Sequence, residues 1–405
     1  MNKAIVMYLA VLKVRNIVVT VLLLLTSSLS FAFFWLLSIM LYELGSVELV
    51  GITYTVAMAI PIFVAPLAGG LTDRYGRKIV MVLSNLFSVV AFGILVLNLS
   101  IYTLISAIMI TRISTVLSFP ALFSLIAESV REEERGYAFA ITALMPYLSG
   151  GIGSLALGLL AERAIHTAVV VTFLLSVISF FITFLFKETL TRKVVEGEGG
   201  ESILKALMSL KELRKLGVIY IYLAVLTVMG EFGSRLFGVY TPLYLTELGL
   251  SKGEIGVVYG TFNLAAAVFT PIAGVIVATL GGFRSLQLSI LFAATAIILM
   301  SLLPSKALLL AAILLTISTA ASSINQVASN VFVAGLTSSE VRSTLVGSLM
   351  PLAQLGSIIA PAVGAVIFSQ NPRIVPLVIG GVFLLSFLLL TQMGRKLKKN
   401  ETLKS

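Results

Sequence analysis

The chain has 405 residues, of which 59% are hydrophobic and only 11% are charged. An ordinary soluble domain carries about 25% charged residues, so this composition excludes a soluble protein and predicts an integral membrane protein. The formal net charge of +10 indicates basic loops that set the orientation of the chain in a membrane. No nucleic-acid partner is therefore expected. The absence of cysteine excludes a disulfide framework and thiolate chemistry.

Apolar runs of about 20 residues, long enough to cross about 30 Å of hydrocarbon as a helix, recur along nearly the whole chain. They predict an all-α membrane protein with twelve transmembrane helices. The predicted spans cover residues 16–41, 48–70, 79–98, 102–128, 137–161, 167–187, 216–245, 253–279, 285–303, 306–335, 343–369 and 373–393. The apolar stretch before the first span is too short to cross and lacks a small-residue cleavage site, so no removable signal peptide is expected.

A polar, charged and glycine-containing segment separates the first six spans from the last six. It predicts an N-terminal six-helix bundle at 1–187, a cytoplasmic linker at 188–215 and a C-terminal six-helix bundle at 216–405. The placement of basic residues predicts the orientation, because cytoplasmic loops carry an excess of Lys and Arg.

If the N-terminus is cytoplasmic, most of the 28 basic residues fall on that side. Only Arg163, Lys252, Lys306 and Arg373 fall on the other. Both termini are therefore predicted to be cytoplasmic, in a multi-pass protein of the plasma membrane whose basic loops contact anionic lipid.

The two halves are related by a shift of 205 residues. This shift aligns VAPLAGGLTDRYGRKIVMVLS at 64 with FTPIAGVIVATLGGFRSLQLS at 269 and places Pro66 on Pro271 and Gly76 on Gly281. Membrane transporters are often built from repeated halves whose interface holds the substrate. The repeat therefore predicts two pseudo-symmetric six-helix bundles.

A charged motif, GGLTDRYGRK at 69–78, stands between the second and third spans. It supplies a glycine, a spaced aspartate, and then arginine, glycine and two basic residues, at Gly70, Asp73, Arg74, Gly76, Arg77 and Lys78. In this motif, in its position after the second span, the chain resembles the major facilitator superfamily (MFS), and the resemblance covers essentially the whole chain. Within the family it is most similar to drug:proton antiporters, because Arg112 stands in the fourth span where those proteins carry an arginine.

The resemblance implies a function for the charged motif. Asp73 would accept hydrogen bonds from the start of the eleventh helix, near Ser343, and Arg77 would bridge Asp73 to Glu128 at the end of the fourth helix. Free N–H groups and the macrodipole at a helix start both favour a carboxylate. The motif is therefore predicted to be a gating latch for alternating access. The alternative is that these residues only anchor a tight turn at the cytoplasmic surface.

Three ionisable residues lie deep in the predicted spans, where an uncompensated charge costs at least about 2.5 to 3.5 kcal/mol. They are Arg112 in the fourth span and Glu231 and Arg235 in the seventh. Glu231 and Arg235 are four residues apart and share a helix face, so one hypothesis is a simple structural ion pair. The other is a substrate or proton site in which Glu231 carries the coupling proton.

Further polar or aromatic residues of the spans are candidate substrate contacts, although each alone is more often a packing contact. They are Trp35, Asn263, Asn325, Gln326 and Gln354. The fifth span also contains Gly150, Gly151, Gly153 and Gly158, which partly match an antiporter signature of the family. The alternative for these glycines is a generic close-packing face.

Several classes of function can be excluded from the sequence. An enzyme would need a nucleophile, a metal cluster or an acid–base pair, and the chain has one histidine, no cysteine and no paired carboxylates in its spans. No Walker-type loop is present, so ATP is not expected to supply the energy. An ion channel needs no repeated half with a one-sided latch. A secondary transporter is therefore predicted, with no catalytic residue, no metal and no cofactor.

Two main substrate classes stay open. The resemblance favours proton-coupled efflux of amphiphilic or drug-like small molecules, with H⁺ as the coupling ion. The two deep arginines favour instead a small organic anion or other metabolite, held by the guanidinium groups of Arg112 and Arg235. Neutral solutes such as sugars are the remaining class, and efflux is the preferred hypothesis. The expected partners are a small-molecule substrate and membrane lipid, and the resemblance implies a monomer.

Overall fold

The structure is a computed structural model that describes residues 3–190, 217–336 and 339–402. Within these ranges the chain forms α-helices, one short 3₁₀ helix and no strand. The helices are α1 (Lys3–Val11), α2 (Arg15–Phe31), α3 (Phe34–Leu44), α4 (Val47–Tyr75), α5 (Arg77–Leu97), α6 (Ile101–Ser129), α7 (Arg135–Arg163), α8 (Ile165–Thr183), α9 (Val218–Glu247), α10 (Lys252–Leu280), α11 (Gly282–Met300), α12 (Leu308–Leu336), α13 (Ser339–Gln370) and α14 (Ile374–Thr402). The 3₁₀ helix, Glu132–Glu134, precedes α7.

In the part of the chain that the structure describes, 12 helical segments are long and apolar enough to cross a membrane, which confirms the predicted all-α fold. The first consists of α2 and α3 together. A turn at Ala32 and Phe33 interrupts the α-helix between them. Several predicted boundaries differ from the ends of the helices. The second span continues past residue 70 to Tyr75, the sixth ends at Thr183 rather than 187, and the helix of the last span continues past 393 to Thr402.

The chain divides into two compact units. The first consists of Met1–Thr191 and Leu245–Ala267, and the second of Arg192–Tyr244 and Val268–Ser405. Most of the predicted linker, residues 191–215, lies outside the described residues.

The first unit has an apolar cluster near the junction of α4 and α5. It contains Val80, Met81, Leu117, Leu125 and Phe186, all less than 5% exposed. Since lipid tails are as apolar as leucine, helices in a membrane associate through close packing and hydrogen bonds. Hydroxyl groups join α5 to α6 in this way, through the Ser88–Ser114 contact of 2.8 Å and the Ser114 bond of 2.7 Å to the Ser84 carbonyl.

The second unit has a comparable cluster around Leu345, Leu390 and Met393, each fully buried. The repeat seen in the sequence also has a counterpart in the backbone. Gly76 has a φ of 99° and Gly281 a φ of 80°, and each residue directly precedes a helix. Only glycine adopts this left-handed region without strain, so the two halves place the same turn at equivalent positions.

Candidate functional site

The charged motif spans a helix–helix junction. Asp73 and Arg74 lie in the last turn of α4, Gly76 alone forms the turn, and Arg77 and Lys78 begin α5. The helix extends further than predicted because charged side chains continue it beyond the hydrocarbon, until the positive φ of Gly76 ends it. The motif therefore lies across the end of α4 and the start of α5, with a single residue between the two helices. The end of the first unit that carries this junction is called the basic end below.

Arg77 lies at the centre of this junction and is only 8% exposed. Its Nη2 donates to Glu128 Oε1 at 2.9 Å, and its Nη1 donates to the Thr72 carbonyl at 3.0 Å. Asp73 Oδ1 is farther, at 3.6 Å from Nη1, and the Asp73 side chain is 78% exposed. The buried guanidinium thus uses Glu128 as its main counter-charge, while Asp73 keeps most of its surface open.

Sequence reasoning missed a second carboxylate at this junction. Glu188, just after α8, accepts hydrogen bonds from the backbone N–H groups of Arg77 and Lys78, both at 3.0 Å. Gly76 precedes α5 without a side-chain cap, so Glu188 caps this helix from elsewhere in the chain. Partial burial alone would raise the pKa of Glu188, but the N–H groups of Leu190, Arg77, Lys78 and Thr189 outweigh it and lower the pKa.

Two further bonds hold the end of α8 against the junction. The Thr189 hydroxyl donates to Glu128 Oε2 at 2.6 Å, and Lys78 Nζ donates to the Phe184 carbonyl at 2.7 Å. Asp73, Arg77, Glu128, Glu188 and Thr189 are called the charged clasp below. The only sequence signal for Glu188 is that it is the first carboxylate after the sixth span.

The remaining motif residues lie outside the clasp. Gly70 is exposed, and a side chain there would meet nothing within 4 Å. Arg74 lies over the ring of Tyr75, 5.4 Å from its centroid. The side chain of Ser343, the predicted partner of Asp73, lies outside the described residues.

The first unit has a second polar cluster at its opposite end. Lys252 Nζ lies 2.9 Å from Glu43, the Tyr42 hydroxyl donates to Glu247 at 2.8 Å, and the Ser251 hydroxyl donates to Glu162 at 3.0 Å. These contacts tie the ends of α3 and α7 to the α9–α10 connection. The six residues are called the polar clasp below. The sequence analysis identified Lys252 only as a basic residue on the less basic side.

Glycines of the fifth span bring α7 and α10 into backbone contact behind the polar clasp. A Cβ on Gly158 would lie 2.6 Å from the Gly256 Cα, and one on Gly260 would lie 3.1 Å from the Gly151 carbonyl oxygen. Any larger residue would force these helices apart. The close-packing alternative for the glycines is therefore the one that the contacts favour.

Two aromatic residues stack between α3 and α10. The rings of Trp35 and Tyr259 are 5.5 Å apart and inclined by 11°. Asn263, one turn along α10, donates to the Tyr259 carbonyl at 2.8 Å. The stacking partner of Trp35, Tyr259, was not identified from the sequence, since a tyrosine in an apolar run carries no sequence signal.

The second unit holds the deep ion pair. Arg235 Nη2 lies 3.1 Å from Glu231 Oε2, and the Ser357 hydroxyl donates to the same oxygen at 3.0 Å. Gly356 permits this contact, because α13 approaches the α9 backbone so closely that a Cβ on Gly356 would meet the Val228 carbonyl. Both charged side chains remain about one third exposed, at 36% for Arg235 and 35% for Glu231.

The other candidates are on separate helices. Arg112 is half-buried on α6 in the first unit. In the second unit Asn325 and Gln354 are half-buried, on α12 and α13, and Gln326 is exposed. Of the predicted deep residues, Glu231 and Arg235 form a polar site together with Ser357, which was not predicted.

Comparison with known proteins identifies the fold. Over 93% of this chain and 99% of the other, it superposes on a variant of the nucleoside transporter NupG with a TM-score of 0.75 at 14% identity. The human organic anion transporter MFSD10 has a TM-score of 0.62 at 20% identity, over 93% of this chain and 99% of that one. A bacterial homologue of the human lysosomal transporter Spinster gives 0.70 at 14% identity, over 96% and 95%. At these identities the likeness shows the fold alone.

Sequence comparison gives the family. The Staphylopine export protein of Staphylococcus aureus (strain Mu50 / ATCC 700699) is 34% identical over 80 residues, which is 20% of this chain and 20% of that protein. The model of the Major Facilitator Superfamily matches residues 18–361 and 246–404, which together cover nearly the whole chain. The chain belongs to the Major Facilitator Superfamily and is a multi-pass transporter, not an enzyme.

Proposed function

We propose that this transporter exports amphiphilic small molecules out of the cytoplasm in exchange for protons. The observation that carries the proposal is the Glu231–Arg235–Ser357 site within the membrane-spanning part of α9 and α13. A partly exposed carboxylate at this depth is expensive unless it is paired, and is a functional candidate by default.

The proposed exchange follows because either a proton or a substrate cation can balance the negative charge of Glu231. A proton would neutralise the carboxylate and break the ion pair with Arg235. A cationic group of a substrate would instead compensate the charge of the carboxylate. Because proton and cation compete for one group, binding of either promotes release of the other, which is the requirement for antiport. Ser357 would hold the carboxylate in place in both states.

Alternating access requires contacts that close each end in turn. The polar clasp closes one end of the first unit by tying α3 and α7 to the α9–α10 connection. The charged clasp fixes the α4–α5 junction at the basic end and leaves Asp73 exposed, free to contact a partner in another state. We infer that the basic end is cytoplasmic. The match to a protein named for staphylopine export supports the outward direction, over a fifth of the chain.

A small organic anion is the second candidate substrate. The favouring observation is that the Arg235 side chain is 36% exposed although Glu231 pairs with it. Protonation of Glu231 would release this guanidinium to bind a carboxylate or phosphate in bidentate fashion.

The test is a thermal-stability screen of the purified protein at two pH values with cationic amphiphiles, small organic anions and neutral sugars. A ligand at a hundred times its dissociation constant stabilises by about 2.7 kcal/mol. The proposal predicts stabilisation by cations that increases with pH and disappears in Glu231→Gln. The surface substitution Glu132→Gln is the control and should leave the stabilisation unchanged. Stabilisation by anions alone, abolished in Arg235→Ala, would replace the export of amphiphiles with the second candidate.

A further inference from the structure

Trp35 and Tyr259 carry two polar hydrogen-bond donors that the fold leaves unused. The Trp35 side chain is 6% exposed, and both its Nε1 and the Tyr259 hydroxyl are sealed from solvent. Neither atom finds a hydrogen-bond partner among the residues that the structure describes. Buried donors are nearly always paired, so each of these exceptions needs an explanation.

Other buried tyrosines of the chain behave differently. The Tyr54 hydroxyl lies 2.7 Å from the Ser38 hydroxyl. Tyr240 donates to the Pro361 carbonyl, and Tyr244 donates to the Met300 carbonyl. The fold therefore satisfies buried phenols where they serve packing alone. Tyr259 is the exception among these four, and it stacks on a second exception, Trp35.

The stack also lies next to an interruption of the helix in the first span. Trp35 follows directly after the break at Ala32 and Phe33 that separates α2 from α3, near the middle of the first span. Short non-α stretches in the middle of a helix often mark hinges. Tyr259 and Trp35 lie seven to eight residues inward from the Lys252–Glu43 ion pair, which is about 11 Å along the helices. The polar clasp thus lies at the end of the first unit that is nearer to the stack.

We propose that Trp35 and Tyr259 together bind an oxygen acceptor, such as a carbonyl or carboxylate, on an aromatic substrate. The indole N–H and the phenol O–H would donate to the acceptor, while the ring faces of the stack would contact the aromatic part of the substrate. Asn263, held one turn away on α10, would limit the size of that group. This inference rests on the proposed transport function and specifies the substrate class.

The sole tryptophan of the chain makes a direct test available, because the fluorescence of the protein reports on Trp35 alone. The probe is benzyl acetate, a neutral aromatic ester that carries a carbonyl acceptor. The matched control is butylbenzene, which has a similar size and no acceptor. The fluorescence of an indole ring shifts to longer wavelength when its N–H donates a hydrogen bond. We expect benzyl acetate to shift the emission to longer wavelength in a saturable manner, and butylbenzene to leave it unchanged.

The same conservative substitution at two tyrosines separates binding from folding. Tyr259→Phe removes a hydroxyl with no partner, so the melting temperature without ligand should stay the same or rise. Tyr54→Phe removes a hydroxyl paired with Ser38, so the melting temperature should fall. We expect Tyr259→Phe to weaken benzyl acetate binding about tenfold, as loss of one hydrogen bond to a ligand does, and Tyr54→Phe to leave it unchanged.

Equal binding of benzyl acetate by the wild-type protein and Tyr259→Phe, or an equal emission shift by both probes, would overturn the inference. This result would leave the transport proposal intact if a ligand from the stability screen still binds in a Glu231-dependent way. Conversely, an acceptor-specific emission shift that requires Tyr259, together with normal ligand response in Glu231→Gln, would support the inference and contradict the proposed proton site.

Discussion

Replacing Glu188 with alanine removes the carboxylate that caps α5 from the end of α8. Two backbone N–H groups, those of Arg77 and Lys78, would lose acceptors that now lie at 3.0 Å. Loss of a helix N-cap costs about 0.5 to 2 kcal/mol, and loss of a negative charge near a helix start about 0.3 to 1 kcal/mol. Since Glu188 is exposed, we expect the lower part of this range, about 1 kcal/mol in the free energy of unfolding.

Such a loss corresponds to a fall of about 2 to 4 °C in the melting temperature of a unit of this size. Thermal unfolding in detergent, with Glu132→Ala as an exposed acidic control from the same end, measures it. Glu188→Gln keeps an acceptor but removes the charge, so its melting temperature should lie between those of the wild-type protein and Glu188→Ala.

The pH dependence gives the sign of the effect. The pKa of Glu188 is lower in the folded protein than its ordinary value, so its stabilisation is fully present above that ordinary value, about 4.3. It is lost as the pH falls toward the lowered pKa. The difference in melting temperature between wild type and Glu188→Ala should therefore shrink in acid. Equal melting temperatures at neutral pH, or a difference that grows in acid, would refute the capping role.

Three further predictions concern the two clasps and the glycine contact behind the polar clasp. Asp73→Asn should change stability by less than about 0.5 kcal/mol because Asp73 is 78% exposed, yet should slow substrate flux in proteoliposomes; wild-type flux would exclude a gating role. Gly158→Ala should destabilise by about 1 to 3 kcal/mol through contact with Gly256, whereas Gly136→Ala on the same helix, with open space around it, should not; unfolding curves of the two compare them. Glu43→Lys and Lys252→Glu should each impair transport and together restore it; no recovery would argue against the ion pair.

The helices could be predicted closely from the sequence because hydrocarbon thickness sets the length of an apolar run. The errors occur where that argument does not apply. The second span was predicted to end at 70, but helix geometry continues through Asp73 and Arg74 to Tyr75, since only Gly76 carries the positive φ that stops it. The break at Ala32 and Phe33 has no proline or glycine to signal it.

The polar site was predictable where it depends on local spacing. Glu231 and Arg235, four residues apart on one helix, form the contact that their spacing indicates. Ser357 was not predicted, because it comes from a helix more than a hundred residues away, and only the Gly356 contact brings it to Glu231. Glu188 was missed for the same reason.

The solvent exposure of individual side chains could not be predicted from the sequence either. Asp73 and Arg77 belong to one motif, but the arginine side chain is 10% exposed and the aspartate 78%. The difference arises because α6 brings Glu128 over Arg77, a contact that the family resemblance implied but that no local sequence pattern records. The unused donors of Trp35 and Tyr259 likewise become visible only once both rings are placed.

Proton movement in proteoliposomes tests the central claim most directly. Protein is reconstituted into vesicles that contain a pH-sensitive dye, and a gradient of the ligand that stabilises it best is applied. The account predicts that the wild-type protein moves protons against the direction of the ligand, and that Glu231→Gln moves none. Ligand flux at the wild-type rate in Glu231→Gln, or flux in the wild-type protein without any change in internal pH, would contradict it.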